Sequence, residues 1–172
     1  MSEILDFLNK EGAPKMLVEA LKLYGTHEWI GKKSNPVILE WATELNIKYK
    51  EDATPWCGLF MAIVAKRAGK KFPENPLWAL NWNNFGINQT VAMLGDVVTF
   101  IRPGGGHVGL YVYETKNSYG ILGGNQGDEA CITEISKSRT KAIRRPIYSI
   151  AQPSNVRQIF KKYTGVLSAN EA

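Results

Sequence analysis

Three residues in this chain have the types needed to attack a carbonyl together: Cys57, His107 and Asn125. Cys57 follows Thr54-Pro55-Trp56, where a threonine cap and a proline at the first helical position predict a helix start. Counted from that cap, Cys57 stands at the third helical position. Unpaired backbone N–H groups there favour a thiolate and lower a thiol pKa that starts near about 8.5. The competing reading is a small buried hydrophobe, which is what most free cysteines are. His107 follows Arg102-Pro-Gly-Gly-Gly and precedes the alternating run His107-Val-Gly-Leu-Tyr-Val-Tyr. The glycines allow another backbone or a substrate to come close. Asn125 lies in Leu122-Gly-Gly-Asn-Gln-Gly-Asp, a composition that turns use in any case.

Strand register links two of the three. A hairpin centred near Lys116 pairs residues whose numbers sum to about 232, and His107 and Asn125 meet that condition. If the pairing runs that far, their side chains share one face about 5 Å apart at Cβ. An amide oxygen then holds one imidazole nitrogen and fixes the tautomer, leaving the other nitrogen to face a thiol. That is the nucleophile, base and orienting-group plan of covalent acyl transfer. A slip of one residue destroys it, and Gln126 is the neighbouring side chain able to hydrogen-bond instead.

The elements that must position these residues read as follows. Residues 14–24 form a short helix, with Pro14 at its start. Asn35-Pro36 opens a second helix through about Leu45, with Asn35 as cap. A third runs from Thr54-Pro55 to Ala68. Lys66 and Arg67 occupy its last turn, and Gly69 stops it. Its body is apolar on every face, so it belongs in the core. The period then changes to strands at 96–101, 108–113, 118–122, 131–135 and 142–147. Helices first and an antiparallel sheet second predict an α+β domain. A terminal helix is expected over 155–163.

The chain has 172 residues, a net charge of +5 and two cysteines. That length fits one domain, and two cysteines are too few for a disulfide scaffold. Scattered histidines and cysteines argue against a metal site, and the chemistry above needs no cofactor. No long uncharged apolar run predicts a membrane span. The acidic start Met1-Ser-Glu-Ile-Leu-Asp lacks the bases of a classical secretion signal. Residues 137–172 hold eight lysines and arginines against one acid, so the basicity is concentrated at the end. It reads either as a solvated surface or as attraction to a polyanion such as an anionic envelope. No stacking-aromatic motif or nucleic-acid module accompanies it, so nucleic acid is not the expected partner. Glu51 and Asp52 are the only local candidates for a carboxylate pair of the glycosidase kind. Among the tryptophans, Trp41 reads as core. Trp56, Trp78 and Trp82 are candidates to flank a groove for a glycan or peptide.

Four motifs occur in order: Pro55-Trp56-Cys57-Gly58-Leu59-Phe60, Gly95-Asp96-Val97-Val98, Gly106-His107-Val108-Gly109 and Gly123-Gly124-Asn125-Gln126. In this order the chain resembles the CHAP/NlpC superfamily of papain-like peptidoglycan hydrolases, and within it a phage-associated, endolysin-like branch. The resemblance covers about residues 29–146. It implies a papain-like α+β fold with Cys57 as nucleophile, His107 as base and Asn125 as orienting group. Substrate contacts are expected from Trp56, Trp78, Trp82 and Gln126, and Asp96 is expected to anchor a loop. The implied organisation is an N-terminal helical segment at 1–28, a catalytic domain at 29–150 and a basic helical tail at 151–172. The implied partner is peptidoglycan, cut at an amide of its peptide by a monomeric cysteine hydrolase. The enzyme would reach it by holin-type release from the host cytoplasm or as a virion component. The alternative is a wall-binding or phage structural protein that keeps the fold without catalysis. Two positions depart from the family pattern. Glu51, an acceptor, stands where such enzymes often carry a glutamine before the cysteine. Gly123 stands where many carry a glutamate two residues before the asparagine.

Overall fold

Pro36 occupies the first turn of a helix, and the Asn35 side chain accepts the Val37 N–H at 2.9 Å, as the sequence predicts. The structure, a computed structural model, describes residues 2–12, 14–31 and 33–161. Four α-helices come first: α1 (Ser2–Asn9), α2 (Lys15–Leu21), α3 (Pro36–Leu45) and α4 (Cys57–Arg67). Six strands follow: β1 (Ile87–Gln89), β2 (Val97–Arg102), β3 (Gly105–Glu114), β4 (Ser118–Gly123), β5 (Cys131–Ser136) and β6 (Thr140–Arg145). They make one antiparallel sheet in the order β1-β6-β2-β3-β4-β5. The expected α+β class is therefore observed.

α4 lies between the sheet and the α2–α3 pair, and every residue from Cys57 to Ala65 is buried. That placement explains why its sequence shows no polar stripe. Ile4, Leu8, Met16 and Leu17 share this core with Val108, Leu110 and Leu122 of the sheet. The N-terminal helices are thus continuous with the rest, and the boundary expected at residue 28 separates no independent core. The opposite face of the sheet carries a smaller cluster that includes Val98, Phe100, Tyr111, Ile121 and Ile143. Asp96 is fully buried, where its carboxylate takes the Arg145 Nε at 2.9 Å, the Arg145 Nη2 at 2.8 Å and the Met93 N–H at 2.9 Å. It ties the start of β2 to the end of β6, the expected loop anchor.

Three expectations are corrected. α4 begins at Cys57, with Trp56 as its cap residue, and not at Thr54-Pro55. Thr54 lies in a turn, its N–H donating to Glu51 O and its carbonyl accepting the Tyr49 hydroxyl, and the first helical N–H, that of Phe60, goes to Trp56 O instead. Residues 155–161 are not helical; residues 162 and 163 of that expected helix lie outside the described residues. β2 starts too late to pair with Glu114, and the tail takes the vacant place. Ile159 O accepts the Glu114 N–H at 2.7 Å and Glu114 O accepts the Lys161 N–H at 2.8 Å. Open backbone groups on β3 are satisfied by the tail instead of by β2. Val156 is buried as well, so the expected boundary at 150 does not divide the described chain.

Candidate active site

Cys57 stands in the first turn of α4, and α4 packs on β3. His107 is the residue just before Val108 on that strand. Two glycines let the elements meet. A Cβ at Gly124 would come within 2.7 Å of the Trp56 ring and 2.6 Å of the Phe60 Cβ, so β4 leaves the sheet in contact with the first turn of α4. A Cβ at Gly58 would lie 2.2 Å from Pro76 O, so the segment at 76–77 crosses the same turn. Both reacting candidates are buried: Cys57 is 2% exposed and His107 is 0% exposed.

Burial sets the state of the thiol. The expected lowering of its pKa is not found: loss of hydration pushes the Cys57 thiol above its ordinary value. The Val108 N–H, the charge of Arg102, and the N–H groups of Gly58 and Cys57 pull the other way without overcoming it. A thiol held above its ordinary value needs an adjacent base in order to act.

The hairpin register near the site is the predicted one. Leu110 pairs with Leu122 and Tyr111 with Ile121, and a bulge between Tyr111 and Tyr113 shifts the pairs beyond it by one. The ladder stops short of His107, however. Gly123 pairs with Cys131 of β5, and Asn125 adopts a left-handed conformation (φ +57°) that turns the chain away. As a result Gln126, not Asn125, meets the imidazole: its Oε1 is 2.9 Å from His107 Nε2. The Gln126 Nε2 donates to Ile121 O at 3.1 Å and to Cys131 O, which fixes which end of the amide faces the ring. An amide oxygen only accepts, so His107 carries a proton on Nε2, and in the neutral ring the lone pair is on Nδ1. Gly123 makes room for this pair, since a Cβ there would lie 3.1 Å from Gln126 Oε1 and 3.3 Å from His107 Nε2. That is the physical sense of a glycine where the resemblance led us to look for a glutamate.

Asn125 serves the other side of the site. Its Oδ1 accepts the Trp56 N–H at 3.3 Å, and its Nδ2 donates to Glu28 Oε1 at 2.9 Å. The same carboxylate oxygen accepts the Trp56 indole N–H at 2.7 Å. Trp56 is fully buried against Trp41, and Trp82 is fully buried with its indole donating to Pro76 O. Neither offers a surface to a substrate, contrary to expectation. Gln126 is likewise buried and spends its amide on His107 and the backbone. Trp78 is 70% exposed, on the segment that passes from Gly58 to Gly106, where Leu80 packs. It is the one of the four expected contact residues with a free face.

Two residues escaped the sequence reading. Glu28 has no local motif, and its role depends on residues 28 and 97 positions away. Arg102 had a weak signal, separated only by Pro103 from the glycines that precede His107. Among the described residues no group of three or more histidines, cysteines and acids stands together as a metal site. No helix there is long and apolar enough to cross a membrane. No family model and no curated protein matches this sequence.

Proposed function

We propose that this protein is a cysteine hydrolase that cleaves an amide bond in the peptide of bacterial peptidoglycan, in the manner of a papain-like phage lysis or virion enzyme. The observation that carries the reading is that α4, which begins at Cys57, packs on β3, the strand that carries the buried His107. Gln126 Oε1 holds the His107 Nε2–H, which leaves Nδ1 as the nitrogen able to accept a proton. The wall substrate comes from the four ordered motifs. His107 Nδ1 takes the thiol proton as sulphur attacks the carbonyl carbon. The resulting oxyanion is held by backbone N–H groups at the start of α4. Collapse breaks the C–N bond, and the imidazolium gives its proton to the leaving amine. Water, deprotonated by His107, then attacks the thioester and releases the acid with the thiol restored. Gln126 orients the ring, and Trp78 supplies an exposed aromatic face for the substrate.

A second reading draws on one observation, the burial of both reacting groups. On that reading the fold binds wall polymer without cutting it. Digestion of purified sacculi followed by mass spectrometry separates the two. New termini that vanish in Cys57→Ala identify the hydrolase and name the bond, whereas binding without new termini identifies the wall-binding protein.

A further inference from the structure

We propose that Glu28 is a positioning residue for Cys57, holding the cap residue of the nucleophile helix from two sides through its contacts with Trp56 and Asn125. This inference rests on the hydrolase reading for its catalytic consequence, although its structural part stands on the thiol alone.

The segment before α3 is itself fixed to the loop that carries Asn125. Gly25 N–H donates to Ala130 O at 2.8 Å, Ala130 N–H to Thr26 O at 2.7 Å and Glu28 N–H to Asp128 O at 2.9 Å. Asp52 holds the far end, accepting the Asn35 N–H at 2.7 Å and the Trp29 N–H at 3.3 Å. Glu28 therefore enters from a braced backbone. One of its oxygens accepts both the indole N–H of Trp56 and the amide of Asn125. A carboxylate can only accept, so it dictates that Asn125 presents its NH2 outward and its oxygen to the Trp56 N–H. Trp56 is thus held by its ring and by its backbone. The next residue is Cys57, so any rotation at Trp56 moves the sulphur relative to β3. A shift of about 1 Å at a reacting atom is enough to cost a large factor in rate.

The donor and acceptor pattern makes a charge-conserving exchange possible. In Asn125→Asp two carboxylates face each other. In Glu28→Gln the introduced NH2 competes with that of Asn125, or the Asn125 amide turns and sets its NH2 against the Trp56 N–H. In the double variant the introduced amide donates to the introduced carboxylate. That carboxylate accepts the Trp56 N–H, and the oxygen of the introduced amide accepts the indole. All three contacts return with the net charge unchanged. Aspartate also tolerates the left-handed backbone found at Asn125.

The test uses the full-length protein. Iodoacetamide labelling of Cys57 and Cys131 is followed by peptide mapping in one sample, and kcat and KM are measured on a soluble muropeptide. Releasing the clamp exposes the buried thiol. Each single variant should therefore label at Cys57 about tenfold faster relative to Cys131, through local opening. In each, kcat should fall at least about tenfold with KM unchanged. The double variant should return both quantities to within about threefold of the parent. A double variant no better than Asn125→Asp overturns the proposal. So does a rise in KM with kcat intact, which makes Glu28 a substrate contact, or a parallel rise in labelling at both cysteines, which makes it part of the general fold. If the parent protein cuts no muropeptide, the hydrolase reading fails, and the labelling ratio still decides the clamp.

Discussion

Gln126 Oε1 faces His107 Nε2 at 2.9 Å, while its neighbour Asn125 faces Trp56 on the opposite side of the loop. Two adjacent amides therefore serve the two halves of the candidate site, one the proposed base and one the helix that carries the proposed nucleophile. Replacing Gln126 by alanine removes the acceptor that holds the imidazole and takes the side-chain donor from the carbonyls of Ile121 and Cys131. We expect kcat on a muropeptide to fall about a hundredfold, with a stability loss of about 1–3 kcal/mol. Asn125→Ala should lose less in kcat, because the His107 tautomer survives it. Steady-state kinetics beside thermal melts checks the order. If Asn125→Ala proves the more damaging of the two in kcat, Gln126 is not the orienting residue.

The proposed nucleophile gives the sharpest test. Cys57→Ala removes one buried sulphur, so the protein should stay folded with a loss of about 1 kcal/mol. Wall digestion should disappear. Cys57→Ser should be equally inactive, because a buried hydroxyl is far harder to ionise than a thiol that is already raised. Turbidity clearing of purified sacculi reads the activity, and sustained clearing by Cys57→Ala ends the cysteine mechanism.

Glu114 supplies a pH dependence with a definite sign. It is buried at the end of β3, where Lys137, the Gln158 amide and the Tyr111 hydroxyl all reach its carboxylate. Burial pushes its pKa up, but these partners together hold the carboxyl below its ordinary value. The unfolded chain therefore binds the proton more readily than the folded one. The stabilisation is complete above the ordinary carboxylate range and is lost as pH falls through the folded value. The melting temperature should decline from about pH 5 downward, and more steeply in the parent than in Glu114→Gln. Parallel curves for the two proteins would remove Glu114 as the source.

Much of this could be read from the residues, and the failures have physical causes. α3 was legible because its capping is local: Asn35 and Pro36 act on the next turn. α4 was legible as buried because its composition is apolar on all sides, but its start was not, since the turn at residues 51–54 delays the first helical hydrogen bond to the one between Phe60 N–H and Trp56 O. The register of β3 and β4 followed from alternation. The reversal at Asn125 did not, because asparagine in a left-handed turn has no signature beyond its type. That single backbone choice passed the imidazole from Asn125 to Gln126. Glu28 was invisible for a different reason: its partners are far away in sequence, and a single acid in a loop carries no period.

The basic end of the chain makes the last prediction, and the structure changes which residues should carry it. Of its eight cations, Lys137 pairs with Glu114 and Arg145 with Asp96, so two charges are neutralised. Arg144 holds the carbonyls of Phe85 and Gly86, and Arg139 that of Ile101, which keeps their charge but commits their geometry. Lys161 lies 4.7 Å from the centre of the Tyr113 ring and helps to dock the tail. Lys141 and Arg157 are exposed and are the better targets. If the basic end draws the protein to an anionic wall, Lys141→Gln with Arg157→Gln should weaken binding to sacculi at low salt. The difference should fade near about 0.1 M salt, where screening shortens the reach of surface charge to about 10 Å. Turnover of a soluble muropeptide should be unchanged, because neither residue borders Cys57, His107 or Gln126. Co-sedimentation with sacculi across a salt series measures the first effect, and equal binding of both proteins at every concentration would leave the basic end as solvated surface.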